Sequence, residues 1–255
     1  MTEPDAIFAD PRLARLYDPL EDDREDLDVY VRMVDEFGAR VIVDVGCGTG
    51  ELATRLVADG RRRGVAMVVS GVDPAGASLE LARLKPGAEH VRWLHGTAVD
   101  AASGSRPLHD VDMVVMTGNV AQVFVTDEDW AATLAAVASM LRPGGRFVFE
   151  TRDPERRAWE HWSGDARRSV DEVEGVGRVE SWIDVTDVDP PLVTFDSWFR
   201  FLDTDETLVS TSTLRFRTLD ELERSLAAAG LTVDEVRDAP DRPGLEFVVV
   251  ARRPD

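Results

Sequence analysis

A glycine-rich loop directly after a short apolar stretch limits the folds open to this chain more than any other feature. The stretch is Val41–Val45, glycines follow at positions 46, 48 and 50, and a predicted helix begins near Glu51. A strand that is apolar on both faces is typical of a parallel sheet covered by helices. Glycines after such a strand allow a sharp turn and a close approach of a ligand to the backbone. The loop therefore predicts a ligand site at the carboxyl edge of a parallel sheet.

The next apolar run, 65–72, ends at an acid, Asp73. A carboxylate at the end of the second strand can accept hydrogen bonds from both hydroxyls of a ribose, so loop and acid together predict a nucleoside site. The dinucleotide pattern requires a third glycine where this chain has Glu51. A glutamate at a helix start also opposes a pyrophosphate, which favours the positive helix end. An NAD(P)-dependent oxidoreductase is therefore only the alternative hypothesis.

Apolar runs alternate with amphipathic segments along the first 150 residues. Residues 27–37 repeat at helical spacing up to Gly38, and Thr126 precedes three acids, as a helix N-cap does. Alternating strands and helices, with strands apolar on both faces, indicate a doubly wound α/β fold with a parallel sheet. The predicted strands are 41–45, 65–72, 91–94, 111–116 and 146–150, and the predicted helices are 27–37, 51 onward, 77–84 and 127–141.

The pattern changes after Thr151, where apolar and polar residues begin to alternate in three stretches separated by polar turns. Such alternation predicts an antiparallel meander, over 179–185, 193–201 and 208–216. A helix capped by Thr218 and two final strands, 232–236 and 247–251, then return to the α/β pattern. The predicted division is a helical cover (1–38), a cofactor-binding α/β core (39–151), an inserted antiparallel substrate or dimer region (152–217) and the end of the core (218–255).

Charge and cysteine content exclude several classes of partner. The chain has 29 Lys and Arg against 49 Asp and Glu, a formal net charge of −20, whereas nucleic acid binding relies on basic surface. It has one cysteine, so nothing indicates an oxidising compartment. The N-terminus lacks the form of a signal peptide, and the apolar runs are too short to span a bilayer. The expectation is a soluble, cytoplasmic protein that binds neither nucleic acid nor membrane.

Four spaced motifs resemble those of the class I S-adenosylmethionine-dependent methyltransferases. The loop has the form D-x-G-x-G-x-G, starting at Asp44, and matches motif I of that family, while Asp73 matches its ribose-binding acid. Residues 110–119 look like the fourth motif strand and its loop, and residues 141–145 match the L-x-P-G-G turn before the fifth strand. The segment that usually reads G-D-A in the family has Thr97 in place of the aspartate, which leaves a threonine hydroxyl or a backbone group to contact the adenine amine.

This resemblance covers roughly residues 13–252 and implies a fold, a cofactor and a reaction. The fold is a doubly wound, seven-stranded, mostly parallel sheet with an antiparallel last strand and an inserted antiparallel β-meander. The cofactor is S-adenosyl-L-methionine, and the reaction is methyl transfer to an oxygen or nitrogen of a small soluble molecule by in-line displacement. Members with such a meander include N-methyltransferases of amino sugars, and in such relatives the meander often helps to form a homodimer. A non-catalytic S-adenosylmethionine-binding protein is a second alternative.

The resemblance also implies which residues contact the cofactor. An N-terminal tyrosine segment covers the cofactor in the subgroup with a meander, and Tyr17 is its equivalent here. Cys47 belongs to the loop and is expected to pack there, since no basic neighbour favours its thiolate. The implied cofactor-binding residues are Tyr17, Asp44, Gly46, Cys47, Gly48, Gly50, Asp73, Pro74, Gly96, Thr97, Ala98, Thr117 and Gly118.

Substrate and catalytic residues are expected at the ends of the fourth and fifth strands. Asn119 and Gln122 follow strand four, and Glu150 and Arg152 end strand five. Arg152 can bind an anionic group of the substrate, or it can pair with the neighbouring aspartate. His161, between two tryptophans that could wall a pocket or contact a sulfonium, is the candidate base, unless it lies on a solvated helix face. The predicted catalytic residues are His161, Asn119 and Glu150, and the predicted substrate-binding residues are Asn119, Gln122 and Arg152.

The sequence predicts no metal site, because no cluster of histidine, cysteine and carboxylate residues has the spacing of metal ligands. A methyl transfer from a sulfonium needs little charge stabilisation on the leaving side, because the leaving group is a neutral thioether. Catalysis can then come mostly from holding the nucleophile near the methyl group.

Overall fold

The computed structural model describes residues 3–21, 24–164 and 168–255, and its strands form two sheets. The helices are α1 (Ala6–Ala9), α2 (Pro11–Leu20), α3 (Asp28–Glu36), α4 (Glu51–Arg63), α5 (Gly76–Ala82), α6 (Ala98–Ser103), α7 (Asp127–Met140) and α8 (Leu219–Ala228). The strands are β1 (Val41–Val45), β2 (Val68–Asp73), β3 (Val91–His95), β4 (Val111–Met116), β5 (Leu141–Arg152), β6 (Ser169–Val173), β7 (Gly177–Asp189), β8 (Leu192–Phe201), β9 (Glu206–Arg215), β10 (Thr232–Asp238) and β11 (Glu246–Arg252).

The larger sheet has seven strands in the order β10-β11-β5-β4-β1-β2-β3. The neighbours from β3 to β5 are parallel, whereas β11 is antiparallel to both β5 and β10. The prediction of a mostly parallel seven-stranded sheet with an antiparallel last strand is confirmed. The chain order reverses at β1, which lies between β2 and β4, and ligands bind at the carboxyl edge beside such a reversal.

Helices cover both faces of this sheet because alternate side chains of each buried strand point to opposite sides. On β1, Ile42 packs in a cluster with Tyr30 of α3 and Leu56 of α4. Val43 packs in the other cluster, with Val137 of α7. Burying a side chain of this size contributes roughly 1.5–3 kcal/mol, so β1 is held from both sides and fixes the loop that follows it.

Strand β2 begins three residues later than the sequence predicts, because the end of α4 takes up the residues before it. Gly64 has a left-handed backbone with φ +69°, and its N–H donates to the carbonyl of Arg61. The N–H of Val65 donates to the carbonyl of Gly60. This is a Schellman motif, and it uses Val65 to terminate the helix.

The smaller sheet is an antiparallel meander in the order β6-β7-β8-β9. The inserted meander is confirmed, but it has a fourth strand, β6, which the sequence did not predict. Strand β6 lies at the edge of the sheet, and only Val173 of its five residues is buried, so it shows little apolar alternation. One cluster of this sheet, which includes Val179 and Phe199, packs against Leu13 and Leu16 of α2. The meander thus lies against the N-terminal helices.

Among the described helices, none combines the length and the apolar character that crossing a membrane would require.

Candidate functional site

The glycine loop after β1 is tied to β2 by backbone hydrogen bonds. The N–H groups of Gly46 and Cys47 both donate to the carbonyl of Val72, at 2.8 and 3.2 Å. Gly46 has φ +72°, and a Cβ there would lie 2.6 Å from a methyl of Val120, so no larger residue fits. Gly48 has φ +51° with nothing within 4 Å of a Cβ position. The loop is therefore closed toward the protein at Gly46 and borders open space at Gly48.

Asp73 at the end of β2 faces this loop. Its Oδ2 accepts from the N–H of Gly48 at 2.7 Å, and its Oδ1 accepts from the N–H of Ala75 at 2.7 Å. Burial raises the pKa of Asp73 above its ordinary value, although the two hydrogen bonds act to lower the pKa. A carboxylate oxygen can accept more than one hydrogen bond, so each oxygen keeps capacity for a further donor such as a ribose hydroxyl.

Asp44, one strand away on β1, is a buried carboxyl with an unpartnered oxygen. Its exposed fraction is 1 %, and its Oδ1 has no hydrogen-bond partner among the described residues. Burial raises the pKa of Asp44 to about 7, and the nearby charge of Asp73 adds to this effect while Arg24 opposes it. A buried carboxylate is costly unless a cation or a donor satisfies it. The site therefore suits the ammonium of an amino-acid group bound beside the glycine loop.

Thr97 caps helix α6. Its hydroxyl donates to Oδ2 of Asp100 at 2.7 Å, and its N–H donates to the same oxygen at 2.8 Å. The N–H of Asp100 in turn donates to the Thr97 hydroxyl, which completes a capping box. The carbonyl of Thr97 accepts from the N–H of Ala101 at 3.0 Å. The Thr97 hydroxyl, one of the two groups expected to contact the adenine amine, is thus already engaged by the helix cap.

Helix α2 lies over the glycine loop and joins it through Asp18. Oδ1 of Asp18 accepts from the hydroxyl of Thr49 at 2.5 Å, and Nζ of Lys85 lies 2.8 Å from Oδ2. The same Nζ lies 2.8 Å from a carboxylate oxygen of Glu51, the first residue of α4. This arrangement places Tyr17, the neighbour of Asp18, at the site, and burial raises its pKa to about 12. The Tyr17 hydroxyl therefore remains protonated at neutral pH and can donate.

A polar cavity of about 830 Å³ lies between α2, the loop after β4 and the end of β5. It brings together five of the residues predicted from the sequence, namely Tyr17, Gly118, Asn119, Glu150 and Arg152. Its lining residues are Tyr17, Glu21, Arg24, Glu25, Asp26, Gly118, Asn119, Glu150, Arg152, Asp241 and Arg242.

Glu150 holds the loop after β4. It accepts hydrogen bonds from the hydroxyl of Tyr30 and from the N–H groups of Gly118 and Asn119, the last two at 2.5 and 3.2 Å. Burial raises its pKa above the ordinary value. Asn119 has a left-handed backbone with φ +60°, which Asn adopts more readily than most residues. The sequence predicts Glu150 as a catalytic residue, whereas the hydrogen bonds that both of its oxygens accept favour a role in positioning this loop.

Glu246, which the sequence analysis did not single out, lies beneath the cavity. It is the first residue of β11 and pairs in register with Arg152 on β5. Its carboxylate accepts from Nδ2 of Asn119, which is 3.2 Å from each oxygen, and from Arg242 at 2.8 Å, and it lies 3.5 Å from Nε of Arg152. One signal was available in the sequence, since an acid directly before the apolar run 247–251 is unusual for a buried strand.

Arg152 does not pair with the aspartate that follows it. Its Nη1 donates to Oε1 of Gln122 at 2.9 Å, and its guanidinium lies 5.2 Å from the ring centroid of Trp162. Asp153 instead pairs with Arg156, at 3.5 Å. Burial lowers the pKa of Arg152 below the ordinary value. Trp162, one of the tryptophans that could contact a sulfonium, thus faces the guanidinium of Arg152.

His161 lies away from this cavity. It ends the short 3₁₀ turn Ala158–His161, its side chain is exposed, and it is not among the residues that line the cavity. The neighbouring ring of Trp159 packs against Phe216, with centroids 4.6 Å apart. The structure therefore does not bring the predicted base to the other predicted residues.

The remaining predicted residues lie around the loop and the ends of β2, β3 and β4. Burial raises the pKa of the Cys47 thiol well above its ordinary value, which fits a packing residue. Gly96 donates to the carbonyl of Asp73 at 3.0 Å, and the carbonyl of Pro74 accepts from His95 at 2.9 Å. Gly50, Ala98 and Thr117 are buried beside them. In the described ranges, no group of three or more His, Cys, Asp and Glu residues is placed to hold a metal ion.

Comparison with known sequences finds similarity over part of the chain. Residues 42–145 match the sequence model of a family described as a methyltransferase domain. An uncharacterized methyltransferase of Mycobacterium tuberculosis is 40 % identical over 125 residues, which are 48 % of this chain and 44 % of that protein. A ubiquinone biosynthesis O-methyltransferase of Neisseria meningitidis is 33 % identical over 126 residues, 49 % of this chain and 48 % of that protein. The chain thus spans about half the length of the curated relatives it matches.

Solved structures resemble the chain over nearly its whole length. The CcbJ methyltransferase from Streptomyces caelestis has a TM-score of 0.77 at 19 % identity, with 100 % of both chains covered. The sugar N-methyltransferase KedS8 from Streptoalloteichus has a TM-score of 0.73 at 21 % identity, covering 94 % of this chain and 92 % of that one. At such identities the likeness shows the fold, which is therefore the one that these methyltransferases share.

Proposed function

Because residues 42–145 carry a methyltransferase domain, we propose that the chain is an S-adenosylmethionine-dependent methyltransferase that acts on a small molecule. The observation that carries the proposal is the group of Gly48, Asp73 and Asp44 at the switch point of the sheet. Gly48 borders open space, Asp73 keeps acceptor capacity for a ribose, and Asp44 has an unsatisfied buried oxygen. A nucleoside joined to an amino acid has a partner for each of these groups.

Bound S-adenosylmethionine would supply an activated methyl group on a cationic sulfur. In the proposed reaction the lone pair of the acceptor forms a bond to the methyl carbon, while the carbon–sulfur bond breaks and its electrons remain on sulfur. The proton that the acceptor loses leaves to solvent. The part of the protein is to place the acceptor in line with that bond, an effect that can contribute about 7–11 kcal/mol when the geometry is right.

The cavity and its cover support a small substrate. Its volume of about 830 Å³ is within the usual range for small-molecule sites, about 300–1,000 Å³. Helix α2 closes over the glycine loop through Asp18, Thr49 and Lys85, which leaves little room for a polymer. Glu21 and Glu25 add acidic groups to the wall, which disfavours a polyanion.

The four-part division predicted from the sequence, a homodimer through the smaller sheet and a cytoplasmic location remain part of this proposal. Val170 and Val209, exposed on one face of that sheet at its two edge strands, support an association there. Apolar residues exposed on the same face favour contact with another surface.

Calorimetric titration with S-adenosylmethionine, S-adenosylhomocysteine and NAD tests the proposal. We expect the two sulfur nucleosides to bind and NAD not to bind. Replacing Asp73 with alanine should weaken nucleoside binding by roughly 1–3 kcal/mol, because hydrogen bonds to a charged group are lost. Binding of NAD alone would contradict the proposal.

Asp112 provides a matched control, because it lies near the amino end of β4, at the edge of the sheet opposite to the loop. Asp112 accepts from the N–H groups of Arg40 and Val41, both at 2.8 Å, in the way that Asp73 accepts from two N–H groups at the loop. Asp112→Ala also removes a carboxylate from two backbone donors, together with an ion pair to Arg142, so it should cost stability without changing the residues at the loop. We expect it to leave the nucleoside dissociation constant unchanged. An equal loss of affinity in both variants would mean that Asp73 acts only through stability.

A further inference from the structure

Asn119 carries an unpartnered and buried oxygen beside the cavity. The residue lines the cavity, yet its exposed fraction is only 3 %, and its Oδ1 has no hydrogen-bond partner among the described residues. Buried polar atoms nearly always have a partner. A buried acceptor left open beside a binding cavity suits a donor carried by a ligand that reaches it from the cavity.

The orientation of this amide is fixed by Glu246. Nδ2 of Asn119 lies 3.2 Å from both carboxylate oxygens. The nitrogen and oxygen of an amide are usually assigned from such partners, and here the assignment has one solution. Turning the amide over would place its oxygen against an anionic carboxylate and leave two acceptors facing each other. The carboxylate thus determines that the open group of Asn119 beside the cavity is its oxygen, an acceptor, and not its nitrogen.

Glu246 is itself held in place by two arginines. Arg242 donates to it at 2.8 Å, and Nε of Arg152 lies 3.5 Å from it. Arg152 orients a second amide, that of Gln122. It donates to Oε1 of Gln122, so here the oxygen is engaged and the nitrogen is left open, the reverse of Asn119. Nε2 of Gln122 is left as a buried donor without a partner in the described chain. One ion-pair cluster therefore fixes two amides.

We propose that Glu246 is a positioning residue, which presents Oδ1 of Asn119 to an N–H or O–H of the group that accepts the methyl. This inference rests on the proposed function. A hydrogen bond from that N–H or O–H to Oδ1 restricts the rotation of the accepting group and directs its lone pair away from Asn119. The substrate class is therefore a molecule whose methyl-accepting atom carries a hydrogen, such as a primary or secondary amine or a hydroxyl. Thioethers and tertiary amines lack the donor that this site is built to receive.

The test compares Glu246→Gln, Asn119→Gly and the double variant. Glycine tolerates the left-handed backbone of position 119 and removes only the amide. The wild-type protein is first assayed for S-adenosylhomocysteine release with glucosamine, tyramine, catechol and a tertiary amine as acceptors. We expect turnover with an N–H or O–H acceptor, and a fall in kcat on the order of 10–100-fold in each single variant, with the dissociation constant of S-adenosylmethionine changed less than about twofold.

The double variant separates positioning from a structural role. If Glu246 acts through Asn119, the double variant should lose no more activity than Asn119→Gly alone, because coupled residues are not additive. Additive losses would overturn the inference. Glu235→Gln is the control, since Glu235 pairs with Arg237 on the exposed surface of β10, and it should leave kcat unchanged.

The outcomes also separate this inference from the proposed function. Failure of the wild-type protein to bind S-adenosylmethionine would refute the function itself. Binding without turnover of any N–H or O–H acceptor, turnover of the tertiary amine alone, or unchanged kcat in Glu246→Gln would overturn the inference and leave the cofactor assignment intact.

Discussion

Single buried carboxyls carry most of the chemistry of this site, and their surroundings determine what each can do. Asp73 and Glu150 accept hydrogen bonds from backbone N–H groups. Asp44 has an oxygen without such a partner. A carboxyl that folding buries without partners prefers to be neutral. Asp44 is therefore costly to the empty protein and suited to a cationic ligand.

Replacement of Asp44 with asparagine should change how stability depends on pH. The pKa of Asp44 is raised from 3.8 to about 7 in the folded protein, so between these values the folded state holds a proton that the unfolded state has lost. Its contribution to stability is complete below the unfolded pKa and is lost as pH rises through the folded pKa. Relative to the wild type, Asp44→Asn should gain about 1.4 kcal/mol per pH unit across that window.

Urea unfolding of both proteins at several pH values, without ligand, measures this difference. The comparison between variant and wild type cancels the other titrating groups. A constant difference in unfolding free energy from acid to neutral pH would mean that the pKa of Asp44 is not raised.

At the scale of elements, the helix termini around the site are held by caps that resemble each other closely. Thr97 caps α6 with Asp100, and Thr218 caps α8 with Glu221 through the same reciprocal hydrogen bonds. The first cap lies just after β3, beside the proposed nucleoside site. The second begins α8, one of the helices that pack on the larger sheet. The pair allows a structural contribution to be separated from a binding contribution.

Thr97→Ala should destabilise the protein by about 1 kcal/mol, as loss of an N-cap hydroxyl typically does. Thr218→Ala should have a similar effect. Because the Thr97 hydroxyl is engaged by Asp100, we expect S-adenosylmethionine to bind both variants with an affinity within about twofold of the wild type. Thermal unfolding and calorimetry measure the two quantities, and a loss of affinity in Thr97→Ala alone would assign its hydroxyl to the cofactor.

At the scale of the whole molecule, the net charge of −20 acts against compactness. Like charges repel more in the folded protein, where they lie closer together, and salt screens this repulsion over a Debye length of roughly 10 Å at about 0.1 M. The surface also has ion pairs, such as Arg237 with Glu36, which salt weakens. Exposed pairs contribute only about 0–1 kcal/mol each, so screening of the net charge should dominate.

We therefore expect sodium chloride to stabilise the ligand-free protein. The midpoint of urea unfolding should rise when the salt is increased from about 20 mM to about 500 mM, because mutual repulsion falls. A midpoint that falls over this range would show that ion pairs outweigh the net charge.

The proximity of the glycine loop and Asp73 could be predicted from the sequence much better than the surroundings of Asn119. Gly46, Gly48 and Asp73 belong to two consecutive strands and the loop after the first, so local pattern places them together. Glu246 meets Arg152 only because β11 pairs with β5 in one antiparallel register. Cross-strand register depends on the packed sheet, and a slip of one residue would reverse every side chain. The same limitation explains why His161 was grouped with residues it does not approach.

The position of Glu246 in the chain has a consequence for synthesis. Domains begin to fold while the ribosome is still extending them. The glycine loop and Asp73 have been made once β2 is complete, whereas the anchor of Asn119 lies more than a hundred residues beyond it on β11. A nascent chain thus contains the residues proposed to hold the nucleoside long before it contains the residue proposed to orient Asn119. Incomplete chains that reach only β9 would lack the carboxylate that orients Asn119, and with it the geometry proposed for methyl transfer.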